Sequence, residues 1–158
     1  MASSQDLPRH GTNTIGMLGR AYSLLGFRIV DGVVGAGFPQ KPSHSAVFAQ
    51  IKPEGSRLTD LARGANVTPQ AMGELVDELE GLGYVVRQPD PTDRRAKLVM
   101  LTERGRECIV AAQTTIQGIE EHISAILGEA GHRELRTLLT KLLEDGAADA
   151  PETSKKSR

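Results

Sequence analysis

Tryptophan is absent from this 158-residue chain, and aromatic residues of every kind make up only 3% of it. A core must therefore be assembled from Leu, Ile, Val, Ala and Met, a composition suited to helices packed on helices. The single cysteine, Cys108, excludes an intrachain disulfide and gives no sign of an oxidising compartment. No apolar run approaches the roughly 20 residues that a membrane span needs. The opening stretch MASSQDLPRHGTNT is polar and lacks the apolar segment of a secretion signal, so a cytoplasmic chain is expected. Net charge is −1, so any surface for a polyanion must be local rather than spread over the molecule.

Signs of catalysis are missing too. The four histidines, His10, His44, His122 and His132, lie apart from one another, without the short spacings that bind zinc. No glycine-rich phosphate loop follows a strand, and no nucleophile motif is present. The reading is a non-enzyme without cofactor or metal. Cys108 reads as a small buried hydrophobe; a reactive thiol needs an accessible cationic setting, and only Arg104 and Arg106 hint at one.

What is present is helical periodicity at both ends. Ile15, Leu18, Tyr22, Leu25, Ile29 and Val33 recur at spacings of three or four, until Gly35, Gly37 and Pro39 stop the helix. After Thr102, the residues Ile109, Ala112, Ile116, Ile119, Ile123 and Ile126 form a narrow seam of the helix-pairing kind. Gly128 and Gly131 then break the chain before a last helix faced by Leu135, Leu138, Leu139, Leu142 and Leu143. One short chain cannot easily cover three such stripes, which points to pairing with a second copy. Five regions follow: a flexible N-terminus (1–12), a pairing helix and connector (13–42), a central lobe (43–101), C-terminal pairing helices (102–145) and a flexible tail (146–158). Lys155, Lys156 and Arg158 in that tail read as a solvated basic end.

The central lobe carries most of the information. In RLTDLARGANVTPQAMGELVDELEGLGYVV, the residues Leu61, Ala62, Ala65, Val67, Met72 and Leu75 are spaced as two short helices sharing a core. Asn66 sits at the turn and tolerates a left-handed backbone. Thr68 is an N-cap, with Pro69 at the first helical position. This is a helix-turn-helix pattern. YVVRQ and AKLVML then read as two strands around PDPTDRR, a β-hairpin. Such a unit is a winged helix, whose second helix can enter a major groove while the hairpin reaches the backbone or minor groove. From Arg87 to Arg106 six basic residues face three acidic ones. Pro89 and Pro91 stiffen the hairpin, and Asp93 is placed to orient Arg95 by a charge-assisted hydrogen bond.

DPTDRRAKLVMLTERG, taken with LTDLARGANVTPQAMGELVDELEGLGYV, resembles the MarR family of bacterial winged-helix regulators. The likeness runs from about Leu58 to Gly105 and rests on Asp90, Pro91, Asp93, Arg95 and the LTxxG at Leu101–Gly105. It implies a mainly α fold with a small β-hairpin wing (α+β), a winged helix-turn-helix with dimerisation helices at both ends. It further implies a homodimer on palindromic double-stranded DNA, commonly a repressor, released by a small aromatic or anionic ligand. The residues expected at DNA are Arg57, Arg63, Thr68, Pro69, Gln70, Gly73, Glu74, Asp93, Arg94, Arg95 and Lys97. If the family layout holds, Met17, Arg20, Tyr22, His44, Val47 and Phe48 line the ligand pocket, with Arg20 and His44 meeting an anion.

The chain departs from the family pattern in the second helix. Where members often carry Ser-Arg, it has Gly73 and Glu74, and from Thr68 to Leu82 there are four acids and no Lys or Arg. Acids there repel phosphates. Glu74 either accepts from a cytosine amine or turns inward, and Gly73 lets the helix lie nearer the bases. The alternative reading is a winged helix whose acidic helix binds another protein and not DNA.

Overall fold

The computed structural model describes residues 13–148. The chain divides after Ile116 into two compact units. In the first, α1 (Thr14–Gly35) is followed by a 3-10 turn (Pro42–His44), α2 (Ser45–Phe48), β1 (Ser56–Arg57), α3 (Leu58–Gly64), α4 (Pro69–Gly81), β2 (Val85–Asp90) and β3 (Asp93–Leu101). The long helix α5 (Glu103–Ala148) begins there. The architecture is mainly helical with one small antiparallel sheet, in the order β1-β3-β2.

Local chemistry sets the helix ends. Asn13 caps α1, its side-chain oxygen accepting from the Gly16 N–H at 2.8 Å. Thr68 does the same for α4 with the Ala71 N–H at 3.2 Å, and Pro69 follows at the first helical position. Helices α1, α3 and α4 all end on the same reversal. A residue at positive φ (Gly37, Asn66 or Gly83) donates to a carbonyl three residues back, and the next residue donates to one five residues back. In the last case the Tyr84 N–H reaches the Leu79 carbonyl at 2.9 Å, and both side chains are fully buried. The turn between α3 and α4 is thus fixed by Asn66, at φ 54°, in the left-handed conformation that its sequence position suggested.

The hairpin is tighter than the sequence reading. PDPTDRR is not a loop, since β2 runs to Asp90 and β3 starts at Asp93, leaving Pro91 and Thr92 as the turn. A third strand, β1, joins the sheet through Ser56–Val99 and Arg57–Leu98. Two residues of strand carry no periodicity, which is why the sequence did not reveal it.

Tyr84 is the centre of the core. Its ring is 6.4 Å from that of Phe38 and 6.0 Å from that of Phe48, in tilted pairs. The Arg104 guanidinium lies over both Phe38 and Tyr84. The buried phenol donates to the Pro39 carbonyl at 2.9 Å. Around it pack Val33, Val47, Leu61, Met72, Val76, Leu79, Val85, Val99 and Cys108. Three of the chain's five aromatic side chains are therefore spent on one junction.

The LTxxG motif is the other half of that junction. The Thr102 hydroxyl donates to the Gly83 carbonyl at 2.6 Å and accepts from the Gly105 N–H at 3.0 Å, capping α5. A Cβ at Gly105 would sit 2.0 Å from the Tyr84 carbonyl oxygen, so only glycine allows the helix to approach this closely.

In the second unit, the helical path breaks once, at Gly128 (φ 71°, ψ 159°). Gly131, expected to share in the break, stays helical. Glu120, before the break, meets His132 at 3.0 Å and Arg136 at 3.5 Å beyond it. The helix continues to Ala148, so residues 146–148 belong to it and not to a tail. Residues 1–12 and 149–158, including Lys155, Lys156 and Arg158, lie outside the described residues. No helix among the described residues is long and apolar enough to cross a membrane.

The Gly105 contact makes a quantitative expectation. Gly105→Ala lowers stability by about 1–3 kcal/mol through overpacking. Gly81→Ala, in the last turn of α4 with nothing within 4 Å of the added carbon, is neutral or stabilising by about 0.5–1 kcal/mol. Urea unfolding at one fixed protein concentration measures both; equal effects would remove the special role of Gly105.

Candidate nucleic-acid interface and adjoining cavity

Helix α4 buries Met72, Val76 and Leu79 and turns Pro69, Gln70, Glu74 and Asp77 outward. Three of its four acids are occupied from within the unit. Arg87 on β2 meets Asp77 at 2.6 Å and also pairs with Glu80, whose carboxylate accepts the Arg87 backbone N–H at 2.9 Å. That backbone bond, with the guanidinium, holds Glu80 below the usual carboxylate range despite partial burial. Glu78 accepts from Lys41 at 2.7 Å and from His44 at 2.8 Å, and Lys41 above all lowers its pKa. The buried His44 accepts the Lys41 N–H at Nδ1, so the proton it offers Glu78 is on Nε2. Among the described residues, Glu74 alone of the four acids is in no ion pair, and it is exposed.

Gly73 is half-buried near the start of α3, and a Cβ there would make only an ordinary contact, with Leu58 at 3.9 Å.

The hairpin is braced by Asp90, whose side chain is 6% exposed. One oxygen accepts from the Thr92 N–H (2.8 Å) and hydroxyl (2.6 Å), closing the turn. The other accepts from Arg57 Nε and a terminal nitrogen at 2.9 and 2.6 Å. Thr92 and then Arg57 hold the Asp90 carboxyl at about 2. Asp93 adds a longer contact to Arg57 at 3.6 Å. Its hydrogen bond to Arg95 goes to the backbone N–H (3.1 Å), not to the guanidinium as expected, because the side chain turns towards Arg57. Arg57, expected at DNA, is thus first a brace between β1 and the hairpin.

A ladder irregularity shapes the tip. Pro89 pairs with Lys97 and Asp90 with Asp93, so Arg94, Arg95 and Ala96 have no partners on β2. Arg95 and Lys97 are exposed and, among the described residues, in no ion pair. Arg63, exposed on α3, pairs with Asp60 at 3.0 Å. The hairpin and the outer face of α4 thus present Gln70, Glu74, Arg95 and Lys97 to solvent, with Thr68 and Pro69 at the exposed start of the helix.

The expected pocket residues are not brought together. Met17, Arg20 and Tyr22 are exposed on α1, and Arg20 borders a shallow surface depression with Gly16, Gly19 and Leu24. Val47 is fully buried in the core, and His44 is occupied by Lys41 and Glu78. Only Phe48 of the six lines an apolar cavity of about 280 Å³. Its walls include Ile29, Val30, Pro42, Ala112 and Ile116, with Lys41 and Gln113 as polar members. Cys108 is also on the wall; burial pushes its thiol pKa up, against the thiolate a redox sensor needs. Spacing on α1 could suggest Ile29, but the contribution of residues 108–116 depends on packing across the chain. Among the described residues, no group of three or more His, Cys, Asp or Glu is placed to hold a metal ion.

The brace gives a pH expectation. Asp90 is depressed from 3.8 to about 2, so its stabilisation of the hairpin is fully present above about pH 4 and is lost as pH falls towards 2. Amide protection across β2 and β3, taken relative to the intrinsic exchange rate at each pH, should fall through that window, and Asp90→Asn should abolish the change while leaving protection low throughout. An unchanged profile in the variant would remove Asp90 as the brace.

A model of the MarR family matches residues 41–96. The HTH-type transcriptional repressor Rv2887 of Mycobacterium tuberculosis is 34% identical over 91 residues, covering 58% of this chain and 66% of that protein. The match thus spans just under two thirds of that relative. Among solved structures, the transcriptional repressor CouR bound to a 23-mer DNA duplex superposes with a TM-score of 0.68 at 25% identity, over 83% of this chain and 92% of that one. CouR from Rhodococcus jostii RHA1 bound to p-coumaroyl-CoA gives 0.65 at 25% identity, over 85% and 95%.

Proposed function

The chain belongs to the MarR family, and on that premise we propose that it is a homodimeric, sequence-specific DNA-binding regulator of transcription, acting as a repressor. The observation that carries this reading is the charge arrangement. Three of the four acids of α4 are paired with Arg87, Lys41 and His44, while Arg95 and Lys97 on the hairpin are, among the described residues, in no ion pair. An acidic helix is in this way made compatible with a phosphate backbone. The relative CouR is a repressor with a DNA-bound structure, which supports the same role here. A cytoplasmic location follows from work on DNA, and no enzymatic role is assigned.

Apolar side chains left exposed within a single chain support the dimer. On α1 they are Ile15, Tyr22, Leu24 and Phe27; in the second unit they are Ile126, Leu138, Leu142 and Leu143. With a two-fold pair, α4 of each copy would enter successive major grooves about one helical turn apart. Thr68, Pro69, Gln70 and Glu74 would face bases, while Arg63, Arg95 and Lys97 would supply backbone or minor-groove contacts; the side chain of Arg94, also expected at DNA, lies outside those described.

The apolar cavity is the site we assign to a small ligand that releases DNA. Lys41 stands on its wall and also holds Glu78 of α4, so a ligand anion that takes the Lys41 ammonium competes directly with the helix. The ligand class that fits is an apolar body with an anionic end.

Titration of a labelled fragment of the chain's own upstream region at two salt concentrations tests the first part. Affinity should fall steeply with salt as counterions are released. Arg95→Ala should weaken binding by about 1–3 kcal/mol. Absence of binding at low salt would instead favour a protein-interaction module. For the cavity, Ala112→Phe should fill the space, leaving DNA affinity near wild type and abolishing release by apolar carboxylates. Continued release from that variant would place the ligand elsewhere.

A further inference from the structure

We propose that Glu74 is a specificity-determining residue that accepts a hydrogen bond from the exocyclic amine of a cytosine in each half of the DNA site. The inference rests on the regulator reading and adds to it the identity of a base. It starts from an asymmetry within α4. Asp77, Glu78 and Glu80 each have a cationic partner, at 2.6 Å for Asp77–Arg87 and 2.7 Å for Glu78–Lys41. Glu74 has none among the described residues, and its side chain is exposed on the outer face, one turn beyond Gln70.

A carboxylate so placed is not neutral towards DNA. It can only accept hydrogen bonds, and at a groove edge it is repelled by phosphates unless a donor meets it. The major groove offers two kinds of amine donor, on cytosine and on adenine. On adenine the amine sits beside N7, an acceptor that repels a carboxylate. On cytosine its neighbour on the same base is a carbon-bound hydrogen. Guanine and thymine present acceptors, O6 and N7 on one and O4 on the other, and are rejected. Glu74 therefore both recognises cytosine and penalises the other three bases. Glu74 is thus the one acid of the helix without an ion-pair partner among the described residues, and Gln70, with both donor and acceptor, carries no such bias.

The test is selection of binding sites from random duplexes by the full chain, wild type and Glu74→Ala, followed by titration of single-base variants. Wild type should recover sites with a cytosine at one position of each half-site. Glu74→Ala should lose that preference by about 5-fold or more, keep the preferences at other positions, and bind duplexes lacking the cytosine at least as well as wild type. Replacing that cytosine by N4-methylcytosine, which keeps the hydrogen that pairs with guanine and puts a methyl in place of the major-groove one, should weaken wild type and leave the variant unaffected. A variant that keeps the cytosine preference, or loses every preference equally, overturns the role of Glu74 while the DNA-binding reading stands. A wild-type chain that selects no sequence at all overturns the regulator reading itself, and with it this one.

Discussion

Arg87 reaches from the second strand back across the end of α4 and takes up both Asp77 and Glu80. With Lys41 and His44 on Glu78, it solves a problem that the composition of this helix creates. Four carboxylates on a 13-residue helix would form a negative stripe, and phosphates would be driven from it. Because three of them are paired on the sides facing the strand and the residues before α2, the helix presents one unpaired carboxylate among the described residues, not four. The pairs are partly exposed, so each contributes modestly to stability. Their larger effect is on the sign of the surface.

The same economy appears at the hairpin. A short, strongly basic tip would splay if its arginines repelled one another with nothing to fix the backbone. Asp90 supplies the fixing, since its two oxygens have separate tasks. One closes the turn through Thr92, and the other holds Arg57 on the neighbouring strand. Arg94, Arg95 and Ala96 then fall in a stretch without cross-strand partners, where the ladder is irregular. At the far end of the same strands, Thr102 and Gly105 lock the start of α5 against the Tyr84 backbone. The hairpin is thus anchored at both ends, by a carboxylate at its tip and by a cap and a close approach at its base.

How much of this was legible follows from the range of each interaction. Asn66, Thr68 and Pro69 obey rules that act within four residues, and their conformations could be read directly from the chain. So could the existence of two helices, a hairpin and the breaks at Gly35–Pro39 and Gly128. The Asp90–Thr92 turn is equally local, though in the sequence Asp93 and Arg95 form the more prominent charged pair. What the chain could not disclose are the links that span 33 to 37 residues: Arg57 to Asp90, His44 to Glu78, Lys41 to Glu78. That is why His44 read as a pocket residue when it is a buried link between a 3-10 turn and α4. It is also why four acids in a row of helix read as repulsive when most are neutralised. The walls of the apolar cavity are hidden in the sequence for the same reason, since they combine α1, the residues around α2 and residues 108–116.

If the chain works as proposed, these long-range links also decide how a ligand and DNA can influence one another. Lys41 has a single ammonium group, and that group holds Glu78 while its side chain forms part of the cavity wall. An anion that binds it more strongly than Glu78 does must leave that carboxylate with His44 alone, or expose it to solvent. Either result changes the charge and the seating of α4, and DNA that requires the original seating must then bind less well. Linkage makes the effect reciprocal, so DNA held by α4 weakens the ligand by the same factor. An uncharged apolar molecule filling the same space would lack this lever, and its influence would depend on displacing the cavity walls. The charge on the ligand, more than its size, is therefore the property through which this cavity can reach the DNA-facing helix.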